Sequence, residues 1–145
     1  VITNLFPEHI HEVLADLSDQ TQAELAANGW GEEELLPRFL RFMMSATMAQ
    51  GYAFLDDRDE VLAVLAVAEH EGVATTFLVA ATGFFEHSVK NARAYRQFMA
   101  WMGKKFGAVY TYSKSPHPEV GRWMKLLGAV EYPSAGKNEK VYRWG

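Results

Sequence analysis

The sequence predicts a single three-layer α/β domain over residues 1–145, in which a mixed sheet, an antiparallel meander joined to a parallel strand pair, is covered by helices on both faces. Three observations carry this. Apolar residues recur about every 3.6 positions up to Gly51, then about every 2 positions or in solid runs from Tyr52 to Ala80. A strand, helix, strand order between Val73 and Tyr112 demands a right-handed crossover and therefore parallel pairing. The 145 residues, 49% hydrophobic, suffice for one continuous core, with no repeat, low-complexity tract or linker to divide them.

Pro7 suits a first helical turn, and Ile10, Val13, Leu14 and Leu17 follow it at helical spacing. Ser18 is placed to cap a second helix, Asp19 to Asn28, which Gly29 closes because glycine tolerates the left-handed conformation. A third helix is expected from Glu32, where three consecutive Glu favour the positive end of the dipole. It carries Leu36, Phe39, Leu40 and Met43 and is expected to end at Gly51. Tyr52 to Leu55 then reads as a strand, reversed at Asp56-Asp57-Arg58-Asp59. Val61 to Ala68, nearly all aliphatic, reads as a strand buried on both faces, turned by His70-Glu71-Gly72 into Val73 to Ala80.

Gly83 breaks that strand, and Ser88 is expected to cap one long helix with Tyr95, Phe98, Met99, Met102 and Phe106 in a stripe, stopped by Gly107. Ala108 to Tyr112 is the next strand. Pro116 and Pro118 introduce a helix that turns Val120, Trp123, Met124 and Leu127 inward and ends at Gly128. Val130 to Tyr132 and Val141 to Trp144 form a closing hairpin across the polar loop Ser134 to Glu139.

Composition excludes several function classes. A formal charge of −4, from 14 Lys+Arg against 18 Asp+Glu, provides no basic field to draw nucleic acid or anionic lipid. Cys is absent, which removes disulfides, thiolate nucleophiles and thiolate metal ligands and suits a reducing compartment. His9 and His11 point to different faces of their helix and the other three His are scattered, so no metal site is predicted. Ser113, Ser115, His117 and Glu119 have hydrolytic residue types, but within one short loop rather than on a nucleophile elbow. Val1 to Glu8 lacks the basic start and apolar core of a secretory signal, and Val61 to Ala68 falls far short of the roughly 20 apolar residues of a spanning helix. A soluble cytoplasmic protein is expected. Trp30 and Trp144, each at an element boundary, and the Met43, Met44 and Met48 group are the candidate contacts for protein partners.

The segment Tyr110 to Tyr132, YTYSKSPHPEVGRWMKLLGAVEY, resembles the last conserved part of GNAT (N-acetyltransferase-like) proteins, where a strand leads through a loop and a short helix to a glycine step and another strand. On the pattern N-x-x-A-x-x-F-Y-x-x-x-G anchored at Gly128, His117 falls at the Asn, Val120 at the Ala, Trp123 at the Phe and Met124 at the Tyr. The element order fits the same family over nearly the whole chain. More narrowly, Phe77-Leu78-Val79-Ala80-Ala81-Thr82, His87 ahead of the helix, and Leu127-Gly128-Ala129-Val130 resemble the GNAT-like proteins of tailed phages, including podovirus small internal virion proteins.

The resemblance implies an acyl-CoA pocket at the mouth of the long helix, an opening between two strands for the thioester, and groups that move protons. On the loop pattern Q/R-x-x-G-x-G/A the best register gives His87, Lys90 and Ala92, so that a Lys stands where the family has its first Gly. Lys90 and Arg93, with Arg96, could instead hold phosphate as point charges, or could be an ordinary solvated helix face. Ala80 and Thr82 at the end of the preceding strand complete the implied cofactor-binding set.

The proton donor of the family, a Tyr, is replaced by Met124, which carries no transferable proton. Tyr110, Tyr112 or His117 could stand in, against the reading of strand aromatics as packing and of His117 as a loop residue. Glu69 is the candidate general base, against the reading of a polar hairpin end. The preferred reading is thus a GNAT-fold accessory protein of tailed-phage type that requires no cofactor. It would work through phage or host protein partners in the host cytoplasm, or as a minor virion component. The alternative is an active acetyl-CoA-dependent N-acetyltransferase with a remodelled phosphate site.

Overall fold

The fold comes from a computed structural model that describes residues 1–134, 136 and 138–145. Its sheet has seven strands: β1 (Ile2–Asn4), β2 (Met48–Leu55), β3 (Val61–His70), β4 (Val73–Ala80), β5 (Val109–Ser113), β6 (Val130–Tyr132) and β7 (Lys140–Trp144). The spatial order is β1-β2-β3-β4-β5-β7-β6, and β4 with β5 is the parallel pair. The helices are α1 (Pro7–Leu14), α2 (Asp19–Asn28), α3 (Leu35–Met44), α4 (Phe84–Lys90), α5 (Ala92–Phe106) and α6 (Pro118–Leu126).

The period of two along each strand separates two cores. On one face Phe54, Leu65, Val67 and Val109 meet Phe84 of α4, Tyr95, Met99 and Met102 of α5, and Trp123 and Met124 of α6. On the other face Ala53, Val64, Ala66 and Val79 meet Val13 of α1, Leu25 of α2, and Leu35 and Phe39 of α3. The three-layer mixed α/β architecture expected from the sequence is therefore the one observed. As expected for its composition, Val61 to Ala68 is buried on both faces.

Local capping chemistry sets α2. Ser18 accepts a hydrogen bond from the Thr21 N–H at 3.1 Å, and Gly29 closes the helix at φ +72°. Elsewhere the boundaries differ from the sequence expectation. The third helix stops at Met44 rather than Gly51, and a single 3-10 turn (Glu32–Glu34) precedes it. Gly51 lies within β2 opposite Ala66, where a Cβ would stand 2.6 Å from Leu5 Cδ2; the glycine admits a close side-chain approach instead of ending a helix.

Ser88 caps nothing. It is fully buried inside α4, and the expected single long helix is two, broken at Asn91 with φ −114° and ψ 26°. The Ser88 hydroxyl donates to the Phe85 carbonyl and accepts from the Trp123 indole N–H, which ties α4 to α6. Strand β1 has no counterpart in the sequence reading: three residues carry too little pattern, and the strand exists through its register with Tyr52, Ala53 and Phe54. Trp144, a candidate partner contact, is 4% exposed and donates to the Leu127 carbonyl, so it belongs to the core.

Candidate functional site

The parallel ladder of β4 and β5 spans two pairs, Ala74 with Val109 and Thr75 with Tyr110. One residue further on, the hydroxyls of Thr76 and Thr111 meet at 2.6 Å, and beyond them the strands part. The register therefore puts the opening after Thr76 and Thr111.

Helix α2 lies across the gap and holds both strand ends. At the β4 end, the Ser18 N–H donates to the Ala80 carbonyl at 2.9 Å, and the Thr21 hydroxyl donates to that carbonyl and accepts from the Ala80 N–H. At the β5 end, the Glu24 carboxylate accepts from the Ser113 hydroxyl at 2.7 Å and from the N–H groups of Lys114 and Ser115 at 2.8 and 3.0 Å. Between the two anchors a slot of about 260 Å³ passes through the sheet. Gln20, Glu24 and Asn28 line it from α2, Phe77 and Leu78 from β4, and Trp123 and Met124 from α6.

One backbone position in the slot is distinctive. Ladder hydrogen bonds alternate along an antiparallel strand, and the Ala81 N–H donates to the Leu62 carbonyl. Val79 and Phe77 accordingly face β3, while the polar backbone groups of Ala80, Leu78 and Thr76 face the β5 side. Those of Ala80 are taken by Ser18 and Thr21. Leu78 lies past the last ladder pair, and among the described residues no side chain hydrogen-bonds its backbone, so it offers an N–H and a carbonyl to whatever occupies the slot.

The sequence-derived candidates fall in different places. Tyr112 lines the slot and is 47% exposed. Ala80 is fully buried with its backbone groups engaged. Thr82 sits at the mouth of α4, where its hydroxyl donates to Asp16 at 2.9 Å and where Asp19 and Glu86 line the neighbouring hollow. His87 packs on the Tyr95 ring at 6.0 Å.

Lys90, Ala92 and Arg93 are at the far end of α4 and the start of α5, and none of them lines the slot. Arg96 lies against Gly128. His117 is the N-cap of α6, its Nδ1 accepting the Glu119 N–H at 3.2 Å. Glu69 pairs with Ala74, beyond the closed end of the β4–β5 ladder from the slot.

Sequence reading misses the α2 side of the site. Gln20, Glu24 and Asn28 recur every fourth residue and form a polar stripe at helical spacing, the one signal that could have marked them. It also misses a groove of about 510 Å³ between α4 and α6, which shares Gln20, Phe85 and Trp123 with the slot. Arg122 is the cation of this groove, paired with Glu119 at 3.2 Å. Among the described residues no group of His, Asp and Glu side chains could hold a metal ion, and no helix is long and apolar enough to cross a membrane.

A seven-stranded mixed sheet, three helices on each face and a parallel pair that opens beside a helix start together define the GNAT fold. Solved structures agree with that class. The spermidine N-acetyltransferase of Vibrio cholerae in complex with CoA and spermine superimposes with a TM-score of 0.64 at 9% identity, over 99% of this chain and 92% of that one. The GNAT domain of S. lividans PAT gives 0.69 at 11% identity, over 99% and 88%. The PaiA N-acetyltransferase of Thermoplasma acidophilum in complex with coenzyme A gives 0.66 at 11% identity, over 99% and 97%. In sequence, no family model and no curated protein matches the chain.

Proposed function

We propose that the slot receives the thioester arm of an acyl-CoA and that the protein transfers the acyl group to an amine. The observation that carries this is the Leu78 backbone, past the last ladder pair and, among the described residues, bonded by no side chain, in an opening held by α2 on both sides. The residues present fit the arm of the donor: an extended amide-bearing chain can hydrogen-bond a free strand edge as an added strand would. CoA, when bound, supplies the activated acyl group. Glu24 and Glu139 with the rings of Trp30 and Tyr112 flank the slot, a combination that attracts a protonated amine. In the transfer the ammonium first gives its extra proton to water, the neutral amine nitrogen bonds to the thioester carbon, the carbon–sulfur bond breaks, the new amide nitrogen releases its surplus proton to water, and the thiolate takes a proton. Tyr112 is the proton donor in this reading, in place of the Tyr that Met124 replaces.

The diphosphate has two proposed sites. Lys90 and Arg93, with His87 and Ala92, form the first; Arg122 in the groove continuous with the slot forms the second. Calorimetric titration with acetyl-CoA tests the reading. Micromolar binding weakened about tenfold or more by Arg122→Glu, and not by Lys90→Glu, places the phosphates on α6. The reverse pattern places them on Lys90 and Arg93. Absence of binding by the unaltered chain removes the donor reading.

A second reading, a GNAT-fold accessory protein of tailed-phage type acting through protein partners or within the virion, is favoured by a different observation. The position of the phosphate loop is helical, α4, and the Met124 side chain has no proton to give. Co-purification with phage particles, together with absent CoA binding, would support it.

A further inference from the structure

We propose that the slot continues into a pocket for an acyl chain longer than acetyl, so that the preferred donor is propionyl- or butyryl-CoA; this rests on the donor reading above. Beside the slot, on the face covered by α4, α5 and α6, lies a cavity of about 30 Å³. Its walls are apolar: Phe54, Leu65, Phe84, Met99 and Leu127 among them. It shares Thr76, Leu78, Thr111, Trp123 and Met124 with the slot, so the two spaces adjoin where the strands first part. A void of this size is uncommon in a close-packed interior.

The polar inventory of the cavity argues against water as its occupant. Thr76 and Thr111 are bonded to one another, the Trp123 N–H to Ser88 and the Trp144 N–H to the Leu127 carbonyl. Of the polar side chains on the wall, the Tyr95 hydroxyl alone has no partner among the described residues. A water there would find one free side-chain group where about 2–4 are usual. Carbon fits these walls better. Leu78 supplies the direction, since its backbone faces the slot and its side chain lines the cavity, so a thioester held at Leu78 has the cavity beneath its acyl group. An acetyl group leaves this space empty, and each further methylene fills it.

Calorimetry of the full chain with CoA, acetyl-CoA, propionyl-CoA and butyryl-CoA decides the matter. Affinity is expected to rise about fourfold per added methylene, the equivalent of about 0.8 kcal/mol for each buried CH2. Affinity that is flat or falls from acetyl to butyryl, with acetyl-CoA bound, overturns the pocket and leaves the donor reading standing. If neither CoA nor any thioester binds, the donor reading falls and the pocket with it. Leu65→Phe fills the cavity from β3 and is expected to remove the gain; a gain that survives the substitution also overturns the pocket. Should that variant not fold, the donor series on the unaltered chain is decisive.

Discussion

The Glu24 carboxylate accepts the Ser113 hydroxyl at 2.7 Å across 89 residues of sequence, so a side chain of α2 holds the end of β5 away from β4. With two backbone N–H groups on the same carboxylate, three donors depend on one residue. Glu24→Ala is expected to destabilise the fold by about 1.5–3 kcal/mol, the range for hydrogen bonds to a charged group. Urea unfolding measures this. A loss no greater than that of Ser113→Ala would show that the backbone donors contribute nothing.

Ser88 and Trp123 form the corresponding pin on the opposite face. Both are buried, and Ser88→Ala leaves the indole N–H without an acceptor. The expected loss is about 1–3 kcal/mol. Ser88→Thr, which keeps an acceptor but adds a methyl group in a fully buried position, separates hydrogen bonding from packing.

The Tyr95 hydroxyl is buried with no partner among the described residues, and burial pushes its pKa up to about 12. Since the folded value exceeds the unfolded one, the associated stability is fully present below the ordinary tyrosine value of 10.0 and is lost as the pH rises through about 12. Tyr95→Phe is expected to raise the melting temperature, by about 1 kcal/mol in stability, and to reduce the alkaline loss. Melting curves taken at neutral and alkaline pH read both effects.

Asp56 shapes the β2–β3 turn, its Oδ1 accepting the Arg58 N–H at 2.8 Å and the Glu60 N–H at 3.0 Å. The Glu60 and Arg58 backbone donors hold its carboxyl below the ordinary aspartate value of 3.8. A depressed folded value means stability that is present above the unfolded pKa and lost as the pH falls through the folded one. Asp56→Asn is accordingly expected to flatten the acid limb of a stability profile below about pH 4. An acid limb unchanged in the variant would remove Asp56 from the account.

Sequence reading succeeds where the controlling chemistry is local. Ser18 and Gly29 bound α2 by their own conformational preferences, and the solid aliphatic run at Val61 announces a strand buried on both faces. It fails where a residue answers to a distant partner. Gly51 looks like a helix stop until Leu5 is seen against it, and Ser88 looks like a cap until Trp123, 35 positions away, takes its hydroxyl. The candidate site divides in the same way. Tyr112 is legible as a strand Tyr beside a motif, whereas Glu24, an unremarkable helix Glu, becomes part of the site through hydrogen bonds formed when α2 crosses the gap.

By itself, then, the sequence determined the order of elements from Pro7 onward apart from the break at Asn91, the change of period near Tyr52 and the crossover that makes β4 and β5 parallel, because these are set by composition and neighbouring residues. Only the tertiary structure decided where the parallel pair opens, which helix holds it open and what lies beneath it. Those depend on strand register and on contacts such as Thr76 with Thr111 and Glu24 with Ser113, whose partners come together only after the loops between them have closed.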